Sequence, residues 1–463
     1  MKTPPEACCI LPVPTPELNS GTLSASVPAK PAGRQWASWL WYVLGVVGFV
    51  VGLVSFLTKH QELPLYIRAA QRLRQGEPIH RNDERAFAYP ALAALPFVPF
   101  TYLPASTWKV LWYLINAGAL AVIVYRLRAR LLPGMAVTPK LRAAPVWLFW
   151  LLLLLLGGRH IFAPLENQSH DLLVLLCVML AIDASCGARE KAAGTFAGLG
   201  TAFKATPLLF APVFLWQRRF PAFVSLGLAL VFFTFLPDVL YPARDHAPWI
   251  ASWYQKFLRH IEPGETAQAE GAWASWVTIN QSLAGTCYRM FTHDYPDVCI
   301  LELSIPLRKV ATLTIQMLVV IWLCWLSRPR LTKGLHQGEL SFLRLGQGAA
   351  VITAMALLSP VSIKTNFCGL LVPIAFCLTD FLYRRRDWIV GALLLLVFVL
   401  GTLTVRDILD EKPADIALAC GSITWSAVGI LLATGRIILQ RSAAGQAELL
   451  QTNRQDNPLR AAA

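Results

Sequence analysis

Apolar stretches about as long as a bilayer is thick recur along this chain, separated by short polar segments. A helix needs ~20 residues to cross ~30 Å of hydrocarbon. Runs near that length lie at 36–57, 106–126, 144–159, 170–186, 220–240, 306–326, 343–361, 366–382, 388–404 and 415–434. They predict an all-α polytopic membrane protein with about ten full spans. Two more apolar segments are broken. Residues 88–104 carry Pro90, Pro96, Pro99 and Pro104, and residues 193–216 carry Lys204, Pro207 and Pro212. Non-helical backbone persists at membrane depth only where protein or a water-filled cavity satisfies it. Both segments therefore read as broken or re-entrant stretches beside such a cavity.

Composition agrees. Hydrophobic residues make up 56% of the 463 positions and charged residues 15%, against about 25% charge in soluble domains. The net charge of +14 fits either a nucleic-acid partner or a membrane protein whose Lys and Arg gather in cytoplasmic loops. Placement decides. With the N-terminus cytoplasmic, the inner loops hold Arg126, Arg128, Arg130, Arg189, Arg218, Arg219, Arg328, Arg330, Lys333, Arg344, Arg384 to Arg386, Arg436 and Arg441. The acids Asp245, Glu262, Glu265, Glu270, Asp294, Asp297 and Glu302 fall outside. No nucleic-acid partner is needed.

The Pro- and Ser-rich residues 1–35 read as a disordered cytoplasmic tail. Residues 36–435 form the membrane domain, with outer loops 58–105 and 241–305, and 436–463 a second cytoplasmic tail. The ten cysteines show no metal-ligand spacing. Cys287 and Cys299 share an outer loop, where an oxidising compartment would let them pair.

The first outer loop breaks the charge rule with Lys59, Arg68, Arg72, Arg74, Arg81 and Arg85. Within it Tyr66, Ala69, Ala70 and Leu73 follow the spacing of one helix face, with Arg68, Arg72 and Gln75 opposite. This predicts an amphipathic helix in the interface plane. Glu62 stands just before it. One reading is an acid that favours the helix dipole, worth ~0.3–1 kcal/mol. The other is a general base whose pKa is tuned by its surroundings. The basic face either holds lipid phosphates or snorkels.

Lys204 sits inside an apolar segment rich in glycine, where an ionisable residue is costly and by default functional. It either neutralises a phosphate or pairs with a carboxylate or helix end. Lys364, in the polar stretch 359–366, either faces the same cavity as Lys204 or snorkels from a short turn. Asp171 and His170 open a helix, so capping explains them. Asn280, Gln281 and Ser282 lie in a polar stretch of the long outer loop, able to fix sugar hydroxyls. Its Trp and Tyr residues, among them Trp249, Trp253, Trp273 and Trp276, suit an interfacial belt.

Several blocks together resemble glycosyltransferase family 87, polytopic mannosyltransferases of GT-C architecture that use polyprenyl-phosphate-mannose. The resemblance rests on His60-Gln61-Glu62-Leu63-Pro64-Leu65-Tyr66 with Ala69-Ala70 and Gly76. It continues through Tyr89-Pro90, Asn167-Gln168, then Ala193-Gly194, Gly198, Lys204 and Pro207. Asn280-Gln281-Ser282-Leu283 with Gly285, and Ser359-Pro360-Val361-Ser362, complete it. It covers roughly 36–435. Two departures stand out: Glu62 occupies the place of an Asp, and Ile363 to Asn366 replace the Trp and His that often follow the Ser-Pro-x-Ser motif.

The resemblance implies transfer of a sugar, mannose in the family, from a polyprenyl-phosphate donor to a glycolipid or polysaccharide hydroxyl. This would occur with inversion, at the outer face of a bacterial inner membrane. Glu62 would be the base. His60, Tyr66, Arg68, Tyr89, Asn167, Gln168, Lys204, Asn280, Gln281, Ser282 and Lys364 would bind substrate, with no cofactor and no metal. A transporter or flippase for a lipid-linked or anionic solute is the alternative, since broken helices and a buried lysine suit it too.

Overall fold

The computed structural model describes Gly48, Val50, residues 52–54, 56–58, 62–81, 86–135, 144–266, 277–406 and 408–456. The chain divides into two compact units, Met1–Val51 and Gly52–Ala463. Of the first unit only Gly48 and Val50 are described, both helical. The predicted tail 1–35, the first predicted span up to Val51 apart from Gly48 and Val50, and His60, Trp273 and Trp276 lie outside the described residues. The helices that build the fold and the site belong to the second unit.

Among the described residues the chain is helical, with no strand. Seven helices are long and apolar enough to cross a membrane. They include α2 (Ala105–Met135), α3 (Val146–Glu166), α7 (Phe220–Leu240), α10 (Ile305–Leu326), α11 (Gln337–Leu358) and α15 (Ser422–Asp456). The seventh is Lys364–Arg384, built around α12 (Leu371–Thr379). Two predicted spans are shorter: α4 (Asp171–Cys186) and the stretch Trp388–Leu403, which contains α13 (Trp388–Phe398).

Burial sorts these helices into two classes. The apolar windows of α11 and Lys364–Arg384 are 83% and 89% buried, whereas those of α7 and α10 are 17% and 22% buried. The first pair is the core, and the second turns Val224, Leu228, Val231, Phe235, Leu307 and Leu318 outward, as a lipid-facing helix requires.

Both proline-rich segments are broken. Ala91–Tyr102 is a chain of three short 3₁₀ turns, each opened near a proline, because proline removes a donor and resists the helix interior. The second forms a hairpin. Helix α5 (Glu190–Phe203) ends at Lys204, whose backbone is extended (φ −156°, ψ 128°). A 3₁₀ turn, Thr206–Leu209, then leads into α6 (Phe210–Trp216). The entry and exit of this excursion meet: Arg219 Nε donates to Glu190 Oε2 at 2.7 Å. The segment therefore leaves and returns at one face, with Lys204 near its tip.

Two glycines let this hairpin dock. A Cβ on Gly194 would overlap the Ala222 carbonyl and one on Gly198 the Leu226 carbonyl, so α5 lies backbone to backbone along α7.

Three expectations change. The apolar face of α1 (Leu63–Gln75) is buried in protein rather than laid on lipid: Tyr66, Ala69, Ala70 and Leu73 are each at most 2% exposed. Phe97 stacks on Tyr66 at 4.8 Å and helps to cover that face. Arg436, the expected start of a tail, lies inside a helix. Helix α15 continues because Ile437 and Ile438 extend its buried stripe and Arg441 pairs with Asp380 at 2.7 Å. Cys287 and Cys299 are free thiols, the first buried.

Candidate active site

Helix α1 begins at Glu62, with Pro64 in its first turn, where a missing N–H costs nothing. The Glu62 carboxylate makes no capping hydrogen bond. It accepts instead from Tyr66 Oη at 2.6 Å, one turn along. Tyr66 Oη also lies 2.9 Å from His170 Nδ1. A phenol has one proton, and it goes to Glu62. His170 Nδ1 must then carry its own proton to donate, which leaves Nε2 as an acceptor. That Nε2 is buried without a hydrogen-bond partner.

Burial, then the charge of Glu62, pushes the Tyr66 hydroxyl well above its usual range, and the same causes raise Tyr89. Both phenols stay protonated. The backbone fixes Glu62 as well, since its N–H donates to the Asn167 carbonyl at 3.1 Å.

Lys204 is 14% exposed and pairs with Asp171 Oδ1 at 2.7 Å. Its Nζ also donates to Asn366 Oδ1 at 2.9 Å, and Ser169 Oγ donates to Asp171 Oδ2 at 3.0 Å. Tyr89 joins this group to the Glu62 group. Its ring lies 5.8 Å from that of Tyr66, 4.4 Å from that of His170 and 5.7 Å from Lys204 Nζ. A cavity of about 40 Å³ opens beside Lys204, lined also by Asp171, Thr206, Met355, Ser362 and Asn366. Its size suits a water or two, so a sugar must sit outside it.

The structure thus gathers Glu62, Tyr66, Tyr89 and Lys204. Sequence reasoning missed three of their partners. Asp171, His170 and Asn366 looked like caps and turn residues. The available signal was Lys204 itself, since a buried cation requires a counter-charge.

The other expected residues lie elsewhere. Lys364 is half-exposed and 3.5 Å from Glu166. Arg68 is exposed on the outer side of α1. Gln168 turns the chain at φ 55°. Its amide donates to the Phe56 carbonyl at 2.8 Å, and its carbonyl accepts from Trp112 at 2.9 Å. Asn280, Gln281 and Ser282 are almost wholly buried. Asn280 Oδ1 accepts from the N–H groups of Ser282 (3.1 Å) and Ser362 (3.0 Å). Gln281 N donates to the Ser362 carbonyl, and Gln281 Nε2 to the carbonyls of Thr278 and Leu418, both at 2.7 Å. Ser282 caps α9 (Leu283–Met290) by accepting from Gly285 N at 3.1 Å. This motif is a latch holding Pro360 to Ser362, and Ser362 lines the cavity.

The architecture and site define an integral membrane protein with a carboxylate and a paired lysine gathered around one aromatic group. Its sequence places it more closely. The profile of glycosyltransferase family 87 matches residues 87–360, and the chain belongs to that family. It is therefore a glycosyltransferase, and the transporter reading is set aside. Glu62 precedes the matched stretch, which contains Tyr89, Asn167, Gln168, Lys204 and Asn280 to Ser282.

The chain is 24% identical over 435 residues to the polyprenol-phosphate-mannose-dependent α-(1-2)-phosphatidylinositol mannoside mannosyltransferase of Mycobacterium tuberculosis (strain ATCC 25618 / H37Rv). The match covers 87% of this chain and 91% of that one. Among solved structures, ArnT from Cupriavidus metallidurans bound to undecaprenyl phosphate is matched with a TM-score of 0.40 at 15% identity. That match covers 88% of this chain and 78% of ArnT.

Proposed function

We propose that this protein moves a sugar, mannose in the first instance, from a polyprenyl-phosphate carrier to a hydroxyl of a glycolipid or polysaccharide. The reaction takes place in a GT-C-type scaffold at the outer face of a bacterial inner membrane. Similarity over most of its length to an enzyme named for a polyprenol-phosphate-mannose donor supports the donor class. The observation that carries the chemistry is Glu62, held by Tyr66 and His170 in contact with the Lys204 group.

Glu62 takes the proton of the acceptor hydroxyl as that oxygen attacks the anomeric carbon. The bond from that carbon to the phosphate oxygen breaks with its electron pair, and configuration inverts. The carrier passes from a singly charged phosphodiester to a phosphomonoester with a second negative charge. Lys204 offsets that charge where it develops. A carrier phosphate leaving with so little charge calls for no metal. The Tyr66 hydrogen bond to Oε2 orients the Glu62 carboxylate.

Purified protein given polyprenyl-phosphate-mannose and a membrane lipid extract tests this. Transfer is expected from the wild type. A loss of ~10²–10⁴-fold is expected in Glu62→Gln, the range for removing a general base. Full transfer by Glu62→Gln and Glu62→Ala removes Glu62 as the base. Failure to consume any polyprenyl-phosphate sugar removes the donor assignment.

A further inference from the structure

The face of the molecule opposite Lys204 carries a second, unrelated site. Helix α4 sets the separation: Asp171 is at one end and Asp183 near the other, so ~1.5 Å per residue puts the two faces about 18 Å apart. On the far face several arginines are drawn into ion pairs. Asp183 binds Arg126, Arg130 and Arg189 at 3.6, 2.7 and 2.8 Å. Asp387 holds Arg436 and Glu339 holds Arg384.

One groove on this face gathers four further cations around a cavity. Between the end of α6 and the connector from α10 to α11 lies a cavity of about 320 Å³, lined by Gln217, Arg219, Arg330, Lys333, Arg344 and Gln347. The acid that meets these cations is Glu190, 2.7 Å from Arg219 and 3.9 Å from Arg344. Arg330 and Lys333 are exposed and have no ion-pair partner among the described residues.

A second cavity, about 630 Å³, shares Pro329 and Arg330 with the first. Its remaining wall is Pro212, Leu215, Trp216 and Arg218, and Leu215 and Trp216 are about half exposed. The groove is therefore cationic in its first part, while its second part adds the apolar wall of Pro212, Leu215 and Trp216 alongside Arg218 and Arg330. Its frame is fixed. Trp216 Nε1 donates across it to the Cys324 carbonyl at 3.0 Å. Gln217 Nε2 donates to Gln347 Oε1 at 3.1 Å. Helix α15 pins the connector through Ser442 and Gln446, which donate to the carbonyls of Leu331 and Arg330.

We infer that this groove binds an anionic phospholipid of the bilayer, its phosphate among Arg330, Lys333 and Arg219 and an acyl chain along Leu215 and Trp216. The division of one continuous groove into a cationic and an apolar part selects an amphiphile over a soluble anion. Basic pockets between membrane helices recognise such headgroups through charge and hydrogen bonds, and the combined space is in the range of ordinary ligand sites.

Native mass spectrometry of the intact protein, titrated with cardiolipin, phosphatidylglycerol and phosphatidylethanolamine, tests the assignment. The wild type should retain the two anionic lipids over phosphatidylethanolamine. Arg330→Gln with Lys333→Gln should weaken anionic-lipid binding about 30-fold, at the usual contribution of a surface cation. Arg128→Gln with Arg385→Gln removes the same charge from exposed positions of the same face, and should leave the bound lipid in place. Equal loss in the two double variants, or no preference for anionic lipid, overturns the site. Displacement of the lipid by millimolar inorganic phosphate as effectively as by cardiolipin reassigns it to a soluble anion and also overturns the proposal. Both variants keep native helicity if the readout is valid, and circular dichroism checks that.

Discussion

The polar residues around Lys204 and those around Asn280 adjoin at Ser362, yet they use their hydrogen bonds in opposite ways. Asn280 and Ser282 meet backbone groups of the neighbouring turn, and Gln281 donates to three carbonyls, so this latch is neutral and spends its donors on backbone, with Gln281 Oε1 left unpartnered. The Lys204 group is charged, lies beside a cavity and keeps an unpartnered acceptor at His170 Nε2. A latch made of neutral amides costs little to bury once satisfied. A buried ion pair recovers little stability for its desolvation, so its presence beside a void points to use rather than support.

The largest effect should come from breaking the charged group. Lys204→Met leaves Asp171 buried with only Ser169 and neighbouring dipoles, and removing one partner of a buried pair costs about 3–5 kcal/mol. Thermal unfolding in detergent should show that loss. Adding Asp171→Asn should restore most of the stability, because no charge is then left unpaired. Sugar transfer should stay low in the double variant, since the cation that meets the leaving phosphate is still missing. Recovery of transfer along with stability would make Lys204 a structural lysine, no different in kind from the latch.

A second test reaches the charged group through its loop. His80 Nε2 lies 3.0 Å from the Tyr89 carbonyl, and His80 Nδ1 lies 2.7 Å from Ser252 Oγ. His80 thus holds the segment that brings Tyr89 to Lys204. Burial lowers the His80 pKa from 6.5 to about 4. The folded protein therefore binds fewer protons than the unfolded chain between those values. This contribution is complete above pH 6.5 and is lost as pH falls toward 4, up to about 3 kcal/mol. Stability measured across that window should fall more steeply in the wild type than in His80→Gln. Identical pH profiles would show that the loop holds Tyr89 by packing alone.

How far the sequence reaches differs between these regions. Span positions were readable because lipid demands long apolar helices, and the break at Lys204 because proline and an ionisable residue interrupt one. The hairpin's return was readable as a re-entrant segment with Arg189 and Arg219 on one side, whereas the Arg219–Glu190 contact that joins its two ends was not. Glu62 and Lys204 stood out by chemistry in an apolar setting. Asp171 and His170 did not, because a helix start explains both equally well, and only their contacts with Lys204 and Tyr66 distinguish partners from caps. The Asn280 motif reads one way in the sequence and another in its contacts. Amides in an outer loop look available for sugar hydroxyls, whereas their geometry directs them to backbone groups.

The smallest effect bears on that last point. Asn280→Ala removes one oxygen that serves two buried N–H groups, those of Ser282 and Ser362. Leaving buried donors unsatisfied costs about 1–3 kcal/mol each, and relaxation of the turn toward water keeps the sum near the low end. As a latch, the variant should lose stability while transfer per folded molecule and the donor KM stay close to wild type. As a sugar-binding residue, it would do the reverse, raising KM or lowering kcat with stability intact. The two readouts move in opposite directions, so one variant measured both ways decides whether the Asn-Gln-Ser motif supports the site or belongs to it.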